Sequence, residues 1–243
     1  MMRRLLVLLC GFISINVSGQ EEYSMAGDAL RITFVHESII NEELMIKLLL
    51  DSAIQNCKSV TVNGSFNKFP NNFFQLNWIE NIDISSDLAI EFPANFSSFK
   101  KLKTLIVFSE VKKISSKIIF QNIESVQFLN ANFKKFPISV CHWLSLEDLD
   151  IQNCSFKTMP SFIGLLKNLK RLNLSTNGIN ISPDEFYTLM NLRILGLANN
   201  QLGDLSIMIC DMHKLEEIYL DNNKLILSSG ILECLKDKIV TLE

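Results

Sequence analysis

Several residue types that binding and catalytic proteins often depend on are scarce in this 243-residue sequence. It has 9 glycines and 5 prolines, too few for a collagen-like or linker-like chain. Its 3 histidines leave little material for metal binding or acid–base chemistry. An excess of one charge is also lacking, because 23 basic residues face 26 acidic ones, and this argues against nucleic-acid binding through a basic surface. With 48% hydrophobic and 20% charged residues, the chain should be globular.

The N-terminus has the pattern of a secretory signal peptide over residues 1–19. Two arginines precede a 13-residue, mostly apolar stretch at residues 5–17. A helix of that length spans about 20 Å, less than the roughly 30 Å of a bilayer core. Small residues three and one positions before Gln20 favour cleavage there, and a short membrane anchor is the alternative. No later segment has 18 uninterrupted apolar residues, so we expect no membrane span in the mature chain.

A 23-residue period organises the second half of the sequence. Each unit carries apolar residues at its first, fourth, sixth and eleventh positions, with Asn or Cys at the ninth. The four units in strict register start at Leu146, Leu169, Leu192 and Leu215. Upstream units start at Cys57, Ile79, Leu102 and Ile123. Eight units are therefore readable, and the first and third are irregular.

This pattern resembles the leucine-rich repeat family, whose units read L-x-x-L-x-L-x-x-N/C-x-L. The resemblance runs from Cys57 to about Leu242, and Asn177, Asn200 and Asn223 fall at one position of consecutive units. It implies an α/β leucine-rich repeat solenoid, a right-handed superhelix of strands and short α- or 3₁₀-helices with a curved parallel sheet on its concave face. It also implies recognition of a partner, without naming that partner.

The spacing within a unit predicts its local structure. The x-L-x-L-x segment alternates with a period of two, so it should be a short strand with its leucines inward, parallel to the next unit's strand. On the return path, pairs such as Val140 and Trp143 are three residues apart, which favours a short helix or 3₁₀ turn. Prolines after Phe or Met mark the turn into this segment at Pro70, Pro93, Pro137 and Pro160.

A column of polar side chains should follow the strands. In the family that the sequence resembles, its asparagines bind backbone groups of the turn. Here the column reads Ser65, Asp87, Glu110, Ala131, Cys154, Asn177, Asn200 and Asn223. Ala131 and Cys154 lack an amide, and Glu110 would be costly if buried. We therefore expect less regular turns before residue 146.

Both ends of the array should be capped, because an open end exposes apolar core. Residues 20–56 are predicted to form an N-terminal cap, with a strand at residues 30–34 and an amphipathic helix at residues 41–56. The repeat domain then occupies residues 57–243. At the C-terminus two interpretations stay open. Residues 228–238 form a helical cap before a final edge strand, or the array is truncated.

Catalytic and metal-binding motifs are not found, so we expect no enzyme, no cofactor and no metal site. Cys141–His142 and Cys210/His213 lie three units apart, at least about 14 Å, which is too far for one metal ion. After signal cleavage five cysteines remain, an odd number, and we expect mostly buried thiols. A disulfide between Cys210 and Cys234, in adjacent units, is geometrically conceivable.

Candidate binding residues are the strand residues that should point away from the core. Three apolar ones should form an exposed patch on neighbouring units, with a solvated, partly acidic border beside it. If the irregular third unit shifts the register, Ile106 and Phe108 turn inward instead. A tyrosine near the C-terminus is a second candidate, because tyrosine is enriched at binding hot spots. The predicted site comprises Ile106, Phe108, Gln127, Leu129, Asp148, Asp150 and Tyr219.

The sequence thus predicts a secreted or cell-surface module that binds a protein through its concave face and catalyses nothing. No nucleic acid is expected as a partner. The alternative is a structural spacer that self-associates through an exposed C-terminal repeat, since an open strand edge is a template for pairing.

Overall fold

The computed structural model describes residues 12–17, 21–26, 29–34 and 54–242. The chain divides into two compact parts, Met1–Asn122 and Ile123–Glu243. From here on they are called the first and the second unit, and the 23-residue segments are called repeats. In both units, strands of neighbouring turns pair in parallel, and 3₁₀ helices lie between successive strands.

The first unit contains a sheet in the order β1-β2-β3-β4-β5-β7 and a separate parallel pair of β6 and β8. β2 is antiparallel to both β1 and β3, and the later pairs are parallel. The strands are β1 (Phe12–Val17), β2 (Glu21–Ala26), β3 (Ala29–Phe34), β4 (Ser59–Gly64), β5 (Asn81–Ser86), β6 (Ile90–Phe92), β7 (Thr104–Phe108) and β8 (Val111–Ile114). The 3₁₀ helices are η1 (Ile54–Asn56), η2 (Asn71–Gln75) and η3 (Ala94–Ser98).

The predicted N-terminal elements have different outcomes. The strand at residues 30–34 is confirmed as part of β3, which pairs with β4 in the register of the repeats. Most of the predicted helix at residues 41–56 lies outside the described residues, and its last three residues form η1. Residues 1–11, 18 and 19 of the predicted signal peptide also lie outside them. β1 lies within the predicted signal peptide, because the structure is that of the full chain. Cleavage of this peptide stays a prediction.

The core of the first unit is rich in phenylalanine. Phe69 lies 5.1 Å from Phe73 and 5.0 Å from Phe96, measured between ring centroids. Phe96 also packs against Phe92 and Phe99, and these rings are buried. Phe69 and Phe96 meet edge to face, an arrangement that stabilises an aromatic pair beyond the area that it buries. These rings therefore join the repeat that starts at Cys57 to the repeat that starts at Ile79.

The second unit is a parallel sheet in the order β9 to β14, backed by four 3₁₀ helices. Its strands are β9 (Ser125–Leu129), β10 (Asp148–Gln152), β11 (Arg171–Asn173), β12 (Ile194–Gly196), β13 (Glu217–Tyr219) and β14 (Ile239–Thr241). Its helices are η4 (Ile138–His142), η5 (Ser161–Leu165), η6 (Asp184–Thr188), η7 (Ile207–Asp211) and an α-helix at Ser229–Leu235.

The predicted register of the repeats is confirmed in this unit. Leu149, Leu172, Leu195 and Ile218 lie side by side on consecutive strands, and all four are fully buried. The apolar pairs of the return path are buried on the 3₁₀ helices as predicted. Each of the four predicted prolines directly precedes a 3₁₀ helix, where its fixed φ suits the turn.

The polar column is confirmed at the three asparagines of the second unit, and its predicted members in the first unit are not buried. Asn200 is 1% exposed and donates to the carbonyls of Leu174, Leu197 and Ala198. Asn177 and Asn223 repeat these bonds in their own turns.

In the first unit, Asp87 and Glu110 are exposed, and the buried polar residues are Ser86 and Ser109, one position earlier. The Ser86 hydroxyl donates to the Phe66 carbonyl, and the Ser109 hydroxyl accepts from the Ser86 amide. A neutral hydroxyl loses less hydration on burial than a carboxylate does, so serine takes the buried place.

The C-terminal helix and edge strand are confirmed, and the expectation for the cysteines is corrected. Ile231 and Leu235 of the helix are buried, and β14 pairs with β13. Cys210 of η7 and Cys234 of the helix form a disulfide with a Cα–Cα distance of 5.7 Å. Cys57 and Cys141 are buried thiols, and burial raises the pKa of Cys141 to about 12.

Candidate functional site

The second unit presents one face of its sheet away from the 3₁₀ helices, here called the open sheet face. Its side chains alternate along each strand with the buried leucines. The strand pairing aligns them in rows across the sheet. The central row is Gln127, Asp150, Asn173, Gly196, Tyr219 and Thr241. It includes Gln127, Asp150 and Tyr219, which the sequence predicted to face away from the core.

Asp150 is not the solvated carboxylate that the sequence predicted. It is 4% exposed, because the neighbouring strand places Asn173 and Arg171 against it. Its Oδ2 accepts a 2.9 Å hydrogen bond from Asn173 Nδ2 and lies 3.5 Å from an Arg171 guanidinium nitrogen. Its Oδ1 is buried and accepts no hydrogen bond from the described residues. Burial therefore raises the pKa of Asp150 above its ordinary value of 3.8.

Arg171 is a site residue that the sequence analysis missed. Its guanidinium lies 3.1 Å from Asp148 Oδ1 and also contacts Asp150, so one cation serves two carboxylates of the adjacent strand. The signal was present in the sequence, because Arg171 stands one 23-residue period after Asp148. Opposite charges at equivalent positions of neighbouring units should be paired.

A hollow of about 420 Å³ opens on this face over β12. Two small residues line it at its centre, Gly196 at the end of β12 and Ala198 just beyond the strand, while the flanking strands carry longer side chains. A Cβ atom on Gly196 would lie 2.5 Å from Asn173 Oδ1, so only glycine allows Asn173 its present position. The hollow is lined by Arg171, Asn173, Ser175, Ile194, Gly196, Ala198, Glu217, Tyr219 and Asp221.

Tyr219 and two carboxylates form one wall of the hollow. The Tyr219 hydroxyl donates a 2.6 Å hydrogen bond to Glu217, and this bond raises the pKa of the tyrosine. Asp221 accepts a hydrogen bond from the Thr241 hydroxyl. Among the described residues, neither Glu217 nor Asp221 forms an ion pair with a lysine or arginine. This wall therefore keeps uncompensated negative charge.

Of the predicted site residues, Tyr219 alone is among the residues that line the hollow. In the first unit, Ile106 is partly exposed and Phe108 is 51% exposed, while Leu105 and Val107 are buried. Ile106 and Phe108 thus point outward, and the inward alternative is wrong. In the second unit, Gln127 and Leu129 are partly exposed on β9. That Ile106 and Phe108 form one patch with Leu129 stays a prediction.

Nothing in the described part of the chain forms a metal centre, since no group of three or more His, Cys, Asp or Glu residues is arranged to hold an ion. His142 and His213 are exposed, and Cys210 is in the disulfide. No helix among the described residues has the length and apolar character to cross a membrane.

Comparison with known proteins agrees with this architecture. A family model described as "Leucine-rich repeat and WD repeat-containing protein 1, LRR" matches residues 137–238. The solved structures that match also consist of leucine-rich repeats. The chain is a leucine-rich repeat protein. No curated protein sequence matches it.

Three solved structures illustrate how far the likeness extends. Internalin C2 of Listeria monocytogenes is 16% identical with a TM-score of 0.64, over 79% of this leucine-rich repeat protein and 83% of that chain. InlP of Listeria monocytogenes is 19% identical with a TM-score of 0.68, and the match covers 87% of this chain and 60% of InlP. The Toll–Spatzle complex of Drosophila is 14% identical with a TM-score of 0.67, over 92% and 35%. At these identities the likeness concerns the fold.

Proposed function

We propose that this leucine-rich repeat protein is a non-catalytic, extracytoplasmic module that binds a partner protein through the concave face of its repeats, the open sheet face. The observation that carries the proposal is the hollow over Gly196, a depression with polar and aromatic walls. Tyr219 and Arg171 line it, and both residue types are enriched at protein interfaces. The fold supports the same role in general terms, because leucine-rich repeats commonly mediate contacts between proteins.

The proposal keeps all the residues chosen from the sequence. Asp148 and Asp150 fix Arg171 on the open sheet face, and Tyr219 forms a wall of the hollow. Gln127 and Leu129 add partly exposed side chains on β9. Ile106 and Phe108 are partly or well exposed on β7 of the first unit, where we propose a separate contact with the partner. A large exposed ring such as Phe108 is costly in water and gains on contact with a partner.

Affinity capture with the full chain tests this proposal. Bound proteins from the extracytoplasmic fraction of the source organism are identified by mass spectrometry and then titrated as purified partners. We expect Tyr219→Ala and Phe108→Ala to weaken binding about tenfold, typical of a hot-spot aromatic. The matched control is Phe162→Ala, which removes a ring that is 50% exposed on η5, away from the open sheet face. Loss of binding in the control alone would contradict a role for this face.

The extracytoplasmic setting rests on the signal-peptide pattern and is tested separately. We expect the chain expressed in its source organism to leave the cytoplasm and to start at Gln20, as read by N-terminal sequencing. A chain that stays in the cytoplasm with residues 1–19 attached contradicts the setting and leaves the binding function open.

The second candidate function is self-association through the C-terminal repeat. Ile226, Ile239 and Leu242 are 85%, 61% and 49% exposed, and among the described strands β14 pairs only with β13. An apolar groove of about 260 Å³, lined by Leu232 and Leu242 among others, lies at this end. An exposed edge with apolar side chains is a template for a second strand.

Sedimentation equilibrium of the full chain distinguishes the two functions. Self-association predicts a concentration-dependent dimer that Ile239→Lys converts to a monomer, because the new charge would be buried at the interface. Ile181→Lys is the control, since Ile181 is 64% exposed elsewhere on the second unit. A monomer at all concentrations excludes the second candidate.

A further inference from the structure

The hollow over Gly196 has a shape that follows from the small residues at the end of one strand. β12 contributes Gly196 to the lining, and Ala198, two residues after the end of this strand, also lines the hollow. The strands on either side contribute Asn173 and Tyr219 at the same level as Gly196. Three adjacent strands therefore border a hollow that is open to solvent. Its volume of about 420 Å³ falls in the size range of ligand pockets.

The wall on β11 is rigid and its charge is already balanced. Asn173 is held by a 2.9 Å bond to Asp150 and by a 3.1 Å bond from the amide of Ser175. Arg171 is paired with Asp148 and Asp150, so its positive charge is shared between two carboxylates. This wall does not attract an anion strongly, because its only cation is neutralised from behind.

The wall on β13 has the opposite character. Glu217 and Asp221 flank Tyr219 on the same face of the strand, and no described lysine or arginine pairs with either carboxylate. The Tyr219 hydroxyl bonds to Glu217, which fixes the ring beside that carboxylate. Carboxylates next to an aromatic ring attract a cation by charge and by the negative face of the ring. Ile194 and Ala198 offer apolar contact to the alkyl part of a long side chain.

We propose that the hollow receives a lysine or arginine side chain of a partner protein, its alkyl stem on Ala198 and Ile194 and its cation against Glu217, Tyr219 and Asp221. This inference rests on the proposed function and adds the chemistry of the partner. The charge complementarity is its basis: a basic segment compensates the two carboxylates, and an acidic segment is repelled by them.

Selection from a phage-displayed library of random 12-residue peptides on the immobilised full chain tests this inference. We expect lysine and arginine to be enriched over the unselected library. Binding of the selected peptides should fall at least tenfold with Glu217→Gln/Asp221→Asn, which keeps the shape of the wall and removes its charge. Ala198→Leu, which fills the hollow and leaves Gly196 unchanged, should have a similar effect.

Two controls make these comparisons specific. Asp184→Asn/Glu185→Gln removes two exposed carboxylates from η6, outside the hollow, and should leave binding within twofold of the unchanged protein. Circular dichroism and melting temperature establish that each variant is folded. Affinity should also decrease as salt is raised from 50 to 500 mM, since screening weakens exposed charge pairs.

The possible results separate this inference from the proposed function. Peptides without basic residues, peptides enriched in Asp or Glu, or equal binding by Glu217→Gln/Asp221→Asn overturn the cation inference. If such peptides still lose binding with Tyr219→Ala, the proposed binding face stands. If binding survives both Tyr219→Ala and Ala198→Leu, the open sheet face is not the binding surface and both are overturned. Failure to enrich any peptide on the unchanged protein over Ala198→Leu also overturns the cation inference.

Discussion

At the scale of single residues, each asparagine of the column forms several hydrogen bonds with the backbone. Asn200 uses Nδ2 for three carbonyls and accepts a 2.9 Å bond from the amide of Ile179 at Oδ1. One amide therefore links two successive turns of the chain, and no apolar residue of similar size offers these bonds. The position of this column could be predicted from the repeat wherever the sequence has asparagine.

Asn200→Ala should destabilise the fold by about 3 kcal/mol or more, because it leaves several buried backbone groups without partners. Urea unfolding followed by circular dichroism measures the change. Asn168→Ala is the comparison, since Asn168 is exposed and makes one bond to the Leu144 carbonyl, and it should cost about 1 kcal/mol or less. Equal losses would contradict the special place of the column.

Asp150 should make stability depend on pH in an unusual direction. Its pKa is raised by burial, so the folded state binds this proton more tightly than the unfolded state does. The contribution of Asp150 to the free energy of unfolding therefore increases as pH falls from its folded-state pKa towards 3.8.

Asp150→Asn should accordingly stabilise the protein at pH 7, because the amide keeps an acceptor for Asn173 and carries no charge to desolvate. The advantage should shrink as pH falls towards 4. Urea unfolding at a series of pH values measures it, with the exposed Asp204→Asn as a control that should follow the unchanged protein. If the variant is less stable at pH 7, the ion pair of Asp150 with Arg171 stabilises the protein more than burial of the charge destabilises it.

At the scale of elements, the 3₁₀ helices of neighbouring repeats pack closely against each other. Gly164 of η5 is buried, and a Cβ atom there would lie 2.6 Å from the backbone carbonyl oxygen of Glu185 in η6. The ion pairs between neighbouring strands, such as Lys170 with Glu147 and Arg193 with Glu216, contribute little to stability, because water screens their exposed charges. At this contact η5 and η6 come as close as their backbones allow. The repeat pattern did not predict it.

Gly164→Ala should cost about 1–3 kcal/mol, since a backbone carbonyl rather than a flexible side chain must move. Thermal and urea unfolding give the value. Gly203→Ala is the matched control, because nothing lies within 4 Å of the position its Cβ would take, and it should be neutral or slightly stabilising. Similar costs at both sites would exclude the η5–η6 contact as the cause.

At the scale of the whole molecule, the protein is a repeat array whose stability comes mainly from contacts between neighbouring turns. The last turn of such an array has a neighbour on one side only. Here Ile231 and Leu235 of the C-terminal helix are buried, and the disulfide ties that helix to η7. The disulfide closes a loop of 24 residues and restricts the unfolded chain.

Cys210→Ser/Cys234→Ser should lower the free energy of unfolding by about 3 kcal/mol, the loss expected for a loop of this length. Guanidinium unfolding measures the loss, and reducing agent should bring the unchanged protein to the stability of the variant. A peptide map without a cross-linked Cys210–Cys234 pair would contradict the disulfide itself.

The features that recur along the chain could be predicted from its residues alone: the 23-residue register, the inward leucines, the proline before each of several 3₁₀ helices and the asparagine column after residue 146. These features follow from local periodicity, because the side-chain period of a strand dictates which residues face the core. Four other features were established by the folded chain: the burial of Asp150, the hydrogen bonds of the buried Ser86 and Ser109, the disulfide and the hollow over Gly196. Each depends on which side chains meet across adjacent turns, more than 20 residues apart, where size, charge and hydrogen bonding compete for the same space.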